Sequence, residues 1–203
     1  MELYSRKTIF NLQSRISCKT KSDNNMLPSL SGATRVHYIV GDPIAQVKSP
    51  AGMTEAFAAA GRNAVCVPAH VAPNDLTAWY DGASRARNVD GIIVTVPHKF
   101  ASIAACASAS ERATFLGAVN TIRRRPDGTW HGDMFDGLAF VQAMRKAGCE
   151  PAGQRALLIG AGGAGSAIAH ALVSAGVSTL AIADDSDDRR GAPTVVHADH
   201  REA

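Results

Sequence analysis

Short apolar runs alternate with longer amphipathic segments through the first half of the chain. The apolar runs are typical of buried strands, and the predicted strands are Val36–Val40, Ala64–Val67 and Gly91–Val96. The amphipathic segments have apolar residues at three-to-four spacing, which is typical of helices packed on a sheet. The predicted helices begin at Pro50, with Ser49 as the N-cap, at Pro73 and at about Phe100. Because strands alternate with helices, the sequence predicts right-handed parallel crossovers and an open, mostly parallel α/β sheet.

The second half of the chain has a different order of elements. Ala118–Arg123 and Thr129–Gly132 predict two antiparallel strands, because the turn Pro126-Asp127-Gly128 separates them. A helix ending at Gly148 follows, and a strand–helix–strand unit starts at Ala156. The predicted fold class is therefore α/β, with a mostly parallel N-terminal domain followed by an incomplete Rossmann dinucleotide-binding domain.

Composition excludes several classes of protein. No run of about 18 uncharged apolar residues occurs, so no transmembrane helix is expected. The net charge is +3, and no basic helix interleaved with aromatic residues suggests a nucleic-acid partner. The four cysteines have no short spacing, which favours reduced thiols in a cytoplasmic protein over disulfides or a zinc site. These cysteines are Cys18, Cys66, Cys106 and Cys149.

Residues 1–34 differ from the rest of the chain, since they are polar and have no sustained periodicity. Their Arg and Ser content fits an organelle transit peptide, although Glu2 argues against one. The alternatives are a disordered extension or a natural start at Met26. We expect an extension of one of these last two kinds.

A glycine-rich turn connects the strand Ala156–Ile159 to a helix predicted from Ser166. Its residues are Gly160, Ala161, Gly162, Gly163, Ala164 and Gly165. In this motif the first glycine permits the tight turn, the second lets the backbone approach a pyrophosphate, and the third lets the helix pack on the strand. The free N–H groups of the helix N-terminus then bind the phosphates, so the turn predicts a dinucleotide site.

An acidic residue, Asp184, ends the next predicted strand, Thr179–Ala183. A carboxylate at this place can accept hydrogen bonds from a ribose 2′-hydroxyl and would repel a 2′-phosphate. Arg189 and Arg190 follow and can bind a phosphate if the loop turns back. The sequence predicts NAD as the cofactor in preference to NADP.

Lys99 is a candidate catalytic residue, because it follows a buried strand and a Pro-His turn. It is therefore expected at the carboxyl end of a parallel sheet, where ligands bind in such folds. An ammonium group there can donate a proton to a ketone oxygen, and the amine can take it back when an alcohol is oxidised. Asp136, at the start of a helix near the domain junction, can hold Lys99 and a substrate hydroxyl in line.

Five motifs occur in order between residues 36 and 190. They are Gly41-Asp42-Pro43-Ile44 with Lys48-Ser49-Pro50, Val94-Thr95-Val96-Pro97-His98-Lys99, Gly117-Ala118-Val119-Asn120-Thr121, Gly132-Asp133 with Asp136-Gly137, and Gly160-Ala161-Gly162-Gly163. Together they resemble the ordered signature of the shikimate and quinate/shikimate dehydrogenases. A methylenetetrahydrofolate dehydrogenase would share the glycine-rich turn but would not explain the other motifs.

The resemblance implies reversible hydride transfer between a hydroxylated ring carboxylic acid and a nicotinamide cofactor, as in shikimate metabolism or quinate use. It implies catalysis by Lys99 and Asp136. It also implies that Ser49, Thr95, Asn120 and Asp136 contact the substrate, since a polyhydroxylated acid needs short donors and acceptors. The resemblance does not decide whether the chain forms an oligomer. The implied domains are a substrate-binding, catalytic domain at residues 35–135 and an NAD(P)-binding domain at residues 136–203.

Three departures from the family pattern replace polar residues with apolar ones. The family has His-Ser where this chain has Gln46-Val47, Asn where it has Ile93, and Asn-Thr where it has Met134-Phe135. A buried carboxylate or hydroxyl facing such positions loses about 1–3 kcal/mol per missing partner. We therefore expect a divergent paralogue that binds shikimate poorly and acts on another hydroxylated ring acid.

The dinucleotide-binding region is short, since a complete Rossmann domain has two strand–helix–strand halves. Residues 191–203 turn polar, and Thr194–Val196 offers at most one further short strand. The sequence therefore predicts a truncated copy with an exposed sheet edge and an uncovered helix face. The alternatives are a non-catalytic binding module and a short protein completed by a partner chain.

Overall fold

The computed structural model describes residues 30–184 and 194–197. In this part of the chain two β-sheets carry helices on their faces, so the predicted α/β class is confirmed. None of its helices is long and apolar enough to cross a membrane. Most of the predicted N-terminal extension, together with Arg189 and Arg190, lies outside the described residues.

The first sheet has six strands. They are β1 (Arg35–Gly41), β2 (Ala64–His70), β3 (Val89–Val94), β4 (Ser108–Ala109), β5 (Thr121–Arg124) and β6 (Trp130–Asp133), in the order β2-β1-β3-β5-β6-β4. β1, β2 and β3 are parallel, whereas β5 is antiparallel to both β3 and β6. The carboxyl ends of β1, β2 and β3 and the beginning of β5 therefore lie along one edge, which we call the carboxyl edge.

The helices agree with the sequence prediction only in part. They are α1 (Ser49–Ala59), α2 (Leu76–Arg85), α3 (Glu111–Leu116), α4 (Asp136–Lys146) and α5 (Gly163–Ser174), with short 3-10 helices at Pro73–Asp75 and Ala101–Ala105. The helix expected from Phe100 is only the second 3-10 segment. The reason is that Ala107 donates its backbone N–H to the carbonyl of Trp130, which draws the chain into β4.

Two details of helix ends differ from expectation. Ser49 was expected to cap α1, but it is the first residue of the helix, and the N-cap is Lys48. Helix α3 was not predicted, although its signals are local. Ser110 caps it by accepting a hydrogen bond from the backbone N–H of Ala113, and Gly117 ends it with a φ of 62°. Both are common helix-end devices.

The second sheet consists of β7 (Arg155–Ile159), β8 (Thr179–Ala183) and β9 (Thr194–His197). β7 and β8 are parallel, and β9 is antiparallel to β8. One face packs on α4 and α5 through a cluster that includes Val141 and Leu180. On β7, by contrast, Leu157 and Ile159 are 68% and 80% exposed. Both of these apolar side chains are therefore open to solvent in the part of the chain that the structure describes. The exposed sheet edge and the uncovered helix face predicted from the sequence stay predictions.

α4 and α5 approach each other very closely at Gly137. A Cβ atom at this position would lie 2.0 Å from the carbonyl oxygen of Ala167 in α5. Only a residue without a side chain permits this approach. The contact fixes the start of α4, and hence Asp136, against α5. The predicted domain boundary, between residues 135 and 136, coincides with the first residue of α4 and stays a prediction.

Arg124 joins the end of α2 to the first sheet. Its guanidinium donates hydrogen bonds to the carbonyls of Val89 at 2.7 Å, Ser84 at 3.1 Å and Ala86 at 3.1 Å. It also lies 4.4 Å from the ring centroid of Trp130. One planar group therefore satisfies several helix-end carbonyls and covers an aromatic ring.

Replacement of Arg124 by alanine is expected to lower the free energy of unfolding by about 3 kcal/mol, because partly buried carbonyls lose charged donors. Urea denaturation measures this loss. Arg124→Lys is expected to recover only part of it, since an ammonium lacks the planar fork. Arg123→Ala, at the exposed neighbouring position, is the control. An equal loss in both variants would contradict the assignment.

His37 makes the fold sensitive to acid. Its ring packs 4.4 Å from Phe57, its Nδ1 is buried without a hydrogen-bond partner among the described residues, and burial lowers its pKa below 6.5. Nearby Asp90 opposes this shift, while Arg62 and Arg35 add to it. The folded state therefore keeps the ring neutral in a pH range where the unfolded chain takes up a proton.

The free energy of unfolding is consequently expected to fall as the pH drops below about 6.5. Urea denaturation between pH 7.5 and pH 5.5 tests this, with pH values chosen to span the ordinary histidine pKa of about 6.5. His37→Gln is expected to flatten the dependence of the free energy of unfolding on pH. An unchanged slope in His37→Gln would show that other groups cause it.

Candidate active site

The centre of the site is an ion pair between Lys99 and Asp136 at the carboxyl edge. Lys99 follows β3 through a turn and Asp136 begins α4, and the Lys99 Nζ donates to the Asp136 Oδ2. The two side chains are 12% and 25% exposed, so the pair is largely shielded and still accessible. An ion pair of this kind orients the ammonium group within the site.

The turn that carries Lys99 is anchored at both ends. The carbonyl of Lys99 accepts a hydrogen bond from the backbone N–H of Val119 at 2.9 Å. His98 is 1% exposed, and its Nε2 lies 2.7 Å from the carbonyl oxygen of Val71. Since a carbonyl only accepts, Nε2 carries the hydrogen. Lys99 therefore extends from a rigid backbone, although its own side chain is long and flexible.

Asn120 completes the ion pair on its other side. Its Nδ2 donates to the Asp136 Oδ1 at 2.6 Å, so both carboxylate oxygens have a donor. Its Oδ1 accepts from the Thr121 hydroxyl and from the backbone N–H of Phe135, each at 3.0 Å. Of the residues predicted from the sequence, the structure thus brings Lys99, Asn120 and Asp136 into direct contact. Thr121 is an addition that the sequence did not predict.

Ser49 and Thr95 each follow a strand of the parallel part of the first sheet. Thr95 follows β3, and its backbone N–H donates to the carbonyl of Val40 at 2.9 Å. Its methyl group fills the space beside Gly41, where a Cβ atom would lie 2.4 Å away. Ser49 begins α1, and both side chains are half-buried. Their predicted contacts with substrate stay predictions.

The three departures from the family pattern have different surroundings. Val47 and Ile93 pack against the same cluster of buried residues, which includes Phe57. Met134 is 1% exposed and belongs to the main core. Phe135 is 41% exposed and lies 4.7 Å beneath the guanidinium of Arg112. Val47 and Ile93 are therefore part of one apolar cluster.

The glycine-rich turn has the geometry that its sequence predicts. Gly160 has a φ of 94°, which is the conformation that favours glycine. A Cβ atom on Gly165 would lie 2.0 Å from the carbonyl oxygen of Gly160, so the helix packs tightly on the turn. α5 begins at Gly163 and not at Ser166, whose hydroxyl donates to the Ala161 carbonyl at 2.8 Å. The turn fits a dinucleotide phosphate, although the binding roles of Gly160, Ala161, Gly162, Gly163, Ala164 and Gly165 stay predictions.

The glycine-rich turn also contacts the candidate catalytic lysine. A Cβ atom on Gly163 would lie 3.1 Å from Cδ and 3.2 Å from Cβ of Lys99. The beginning of α5 therefore packs on the aliphatic part of Lys99. From the sequence the two residues were assigned to different ligands, and their contact was not predicted.

Comparison with known proteins supports the same family as the motifs. The model of the shikimate dehydrogenase substrate binding domain matches residues 39–122. The shikimate dehydrogenase (NADP(+)) of Rubrobacter xylanophilus is 41% identical over 163 residues, which are 80% of this chain and 57% of the relative. That of Moorella thermoacetica is 38% identical over 160 residues, which are 79% of this chain and 54% of the relative. The chain belongs to the shikimate dehydrogenase family.

The architecture agrees with this membership. The crystal structure of shikimate 5-dehydrogenase from Thermus thermophilus, in complex with NADP(H) and shikimate, superposes with a TM-score of 0.70 at 29% sequence identity. The match covers 77% of this chain and 58% of that chain. This chain spans about half the length of the curated relatives it matches.

The cofactor predicted from the sequence, NAD in preference to NADP, is wrong. Both curated relatives are named as NADP(+) enzymes. The prediction relied on Asp184 as a partner for a ribose hydroxyl. In the structure the Asp184 carboxylate accepts a hydrogen bond from the backbone N–H of Ala161, within the glycine-rich turn. An acidic residue at this position therefore does not identify the cofactor, because it has a role in holding the turn.

Proposed function

We propose that the chain carries the substrate site and the phosphate-binding turn of an NADP-dependent dehydrogenase of the shikimate type. The reaction interconverts a secondary alcohol and a ketone on a hydroxylated ring carboxylic acid. The observation that carries the proposal is the Lys99–Asp136 ion pair, which is completed by Asn120 and lies against the beginning of α5.

In the proposed reaction Lys99 handles the proton. For ketone reduction its ammonium donates a proton to the carbonyl oxygen, and for alcohol oxidation the amine takes the hydroxyl proton. Asp136 holds Lys99 in place and supplies an acceptor for the substrate hydroxyl. When bound, the dinucleotide supplies the nicotinamide ring that exchanges hydride with the substrate carbon. Ser49 and Thr95 supply hydroxyls to the remaining polar groups of the ring acid.

Substrate oxidation by the full chain tests this proposal. Shikimate and quinate are each offered with NADP, and NADPH formation is followed by absorbance while binding is measured by calorimetry. We expect NADP reduction that depends on a ring acid. Binding of ring acid or NADP without turnover would favour a non-catalytic binding module. A chain that is folded by circular dichroism and binds neither ligand would contradict the proposal.

A further inference from the structure

The Asn120 amide has a defined orientation at the ion pair. The backbone N–H of Phe135 can only donate, and it points to the Asn120 Oδ1 at 3.0 Å. The oxygen therefore faces Phe135, and the amide nitrogen faces the Asp136 Oδ1 at 2.6 Å. In the opposite orientation the amide oxygen would face a carboxylate oxygen, and both contacts would become repulsive.

The Thr121 hydroxyl is the second donor to the same amide oxygen, at 3.0 Å. Because Oδ1 only accepts, the hydroxyl hydrogen is committed to Asn120. Thr121 is half-buried and begins β5, where it pairs with Ile93 of β3 and Asp133 of β6. A β-branched side chain on a doubly paired strand has little rotational freedom. Thr121 therefore offers a hydroxyl of fixed direction at the start of the series Thr121–Asn120–Asp136–Lys99.

We propose that Thr121 is a positioning residue for the Lys99–Asp136 pair and acts through the amide of Asn120. The inference rests on the proposed function, since the pair it positions is the proposed proton-transfer group. Thr121 fixes the plane of the Asn120 amide. The amide then fixes one oxygen of Asp136 and leaves the other directed at Lys99.

Substitution at Thr121 tests the proposal in the full chain. Thr121→Val keeps the shape and removes the hydroxyl, and it is expected to lower kcat/KM about three- to tenfold through loss of one hydrogen bond. Thr121→Ser restores the donor and is expected to stay within about twofold of the parent. Thr129→Val is the matched control. It removes a hydroxyl from the same hairpin, where Thr129 Oγ1 donates to Asp127 at 2.6 Å.

A second measurement does not need turnover. In the substrate-free chain, the side-chain amide signals of Asn120 are followed by 1H–15N NMR and assigned by their loss in Asn120→Ala. Thr121→Val is expected to shift these signals and to speed hydrogen exchange of the amide. Thr121→Ser and Thr129→Val are expected to leave them unchanged.

The two measurements separate failure of this inference from failure of the proposed function. If the parent chain has no activity, the proposed function fails, and the Asn120 signals alone decide whether Thr121 orients the amide. Unchanged Asn120 signals in Thr121→Val would overturn the inference, because Phe135 alone would then hold the amide. Equal losses of activity in Thr121→Val and Thr121→Ser would also overturn it.

Discussion

Replacement of Lys99 by alanine is expected to reduce turnover of the ring acid by about 10²- to 10⁴-fold, the usual contribution of a general acid–base group. The substitution removes the proton donor and leaves the Asp136 carboxylate with Asn120 as its remaining described donor. Steady-state rates with NADP, in both directions, measure the loss. We expect substrate binding by calorimetry to weaken much less than turnover.

Lys146→Ala is the control for this experiment, because Lys146 is an exposed lysine at the last residue of α4. Lys146→Ala removes the same single positive charge as Lys99→Ala, and it is expected to retain full activity. Thermal unfolding of both variants checks the fold. An active Lys99→Ala enzyme with an unaltered pH profile would assign the proton transfer to another group.

The pair of substitutions Val47→Ser and Ile93→Asn is expected to raise kcat/KM for shikimate. Each returns a hydrogen-bonding group of the type that the family signature has at that position. A buried carboxylate or hydroxyl that regains a partner gains about 1–3 kcal/mol, or roughly 5- to 150-fold for each position. Because both residues pack against the same cluster, their effects are not expected to be additive. Shikimate saturation curves with NADP measure the change.

The double variant is also expected to lose stability, since polar groups enter an apolar cluster beside Phe57. Val47→Ala and Ile93→Ala are the controls, because they remove volume without adding a polar atom. A gain for shikimate in the alanine variants as well would mean that pocket size limits binding. If no variant gains kcat/KM for shikimate, the side chains at positions 47 and 93 do not face the substrate.

Much of the fold was predictable because its signals are local. β1, β2, β3, β7 and β8 follow apolar runs, and the glycine-rich turn has the positive φ at Gly160 that its motif requires. The segment after Phe100 was not predictable in this way. Its composition suits a helix, but a hydrogen bond from Ala107 to Trp130, far along the chain, draws it into β4.

The residues of the site also divide into those that local motifs predict and those that depend on distant contacts. Lys99 and Asp136 could be named from motifs and were expected to lie together, and the structure places them in contact across 37 residues of sequence. Thr121 could not be distinguished from an ordinary strand residue, because its importance depends on which way its neighbour's amide points. The cofactor prediction failed for a related reason. A carboxylate that looks free to bind a ribose in the sequence is engaged with the backbone of Ala161 in the fold.

The contact between Gly163 and Lys99 limits how such a protein can be re-engineered. Exchanging the glycine-rich turn for that of another enzyme is an obvious route to a different dinucleotide. Here any side chain introduced at position 163 would meet the stem of Lys99, whose Cδ lies 3.1 Å from the added carbon. The proposed phosphate-binding turn and the proposed proton-transfer lysine are therefore in direct contact, and a loop graft that ignores this contact is expected to displace both.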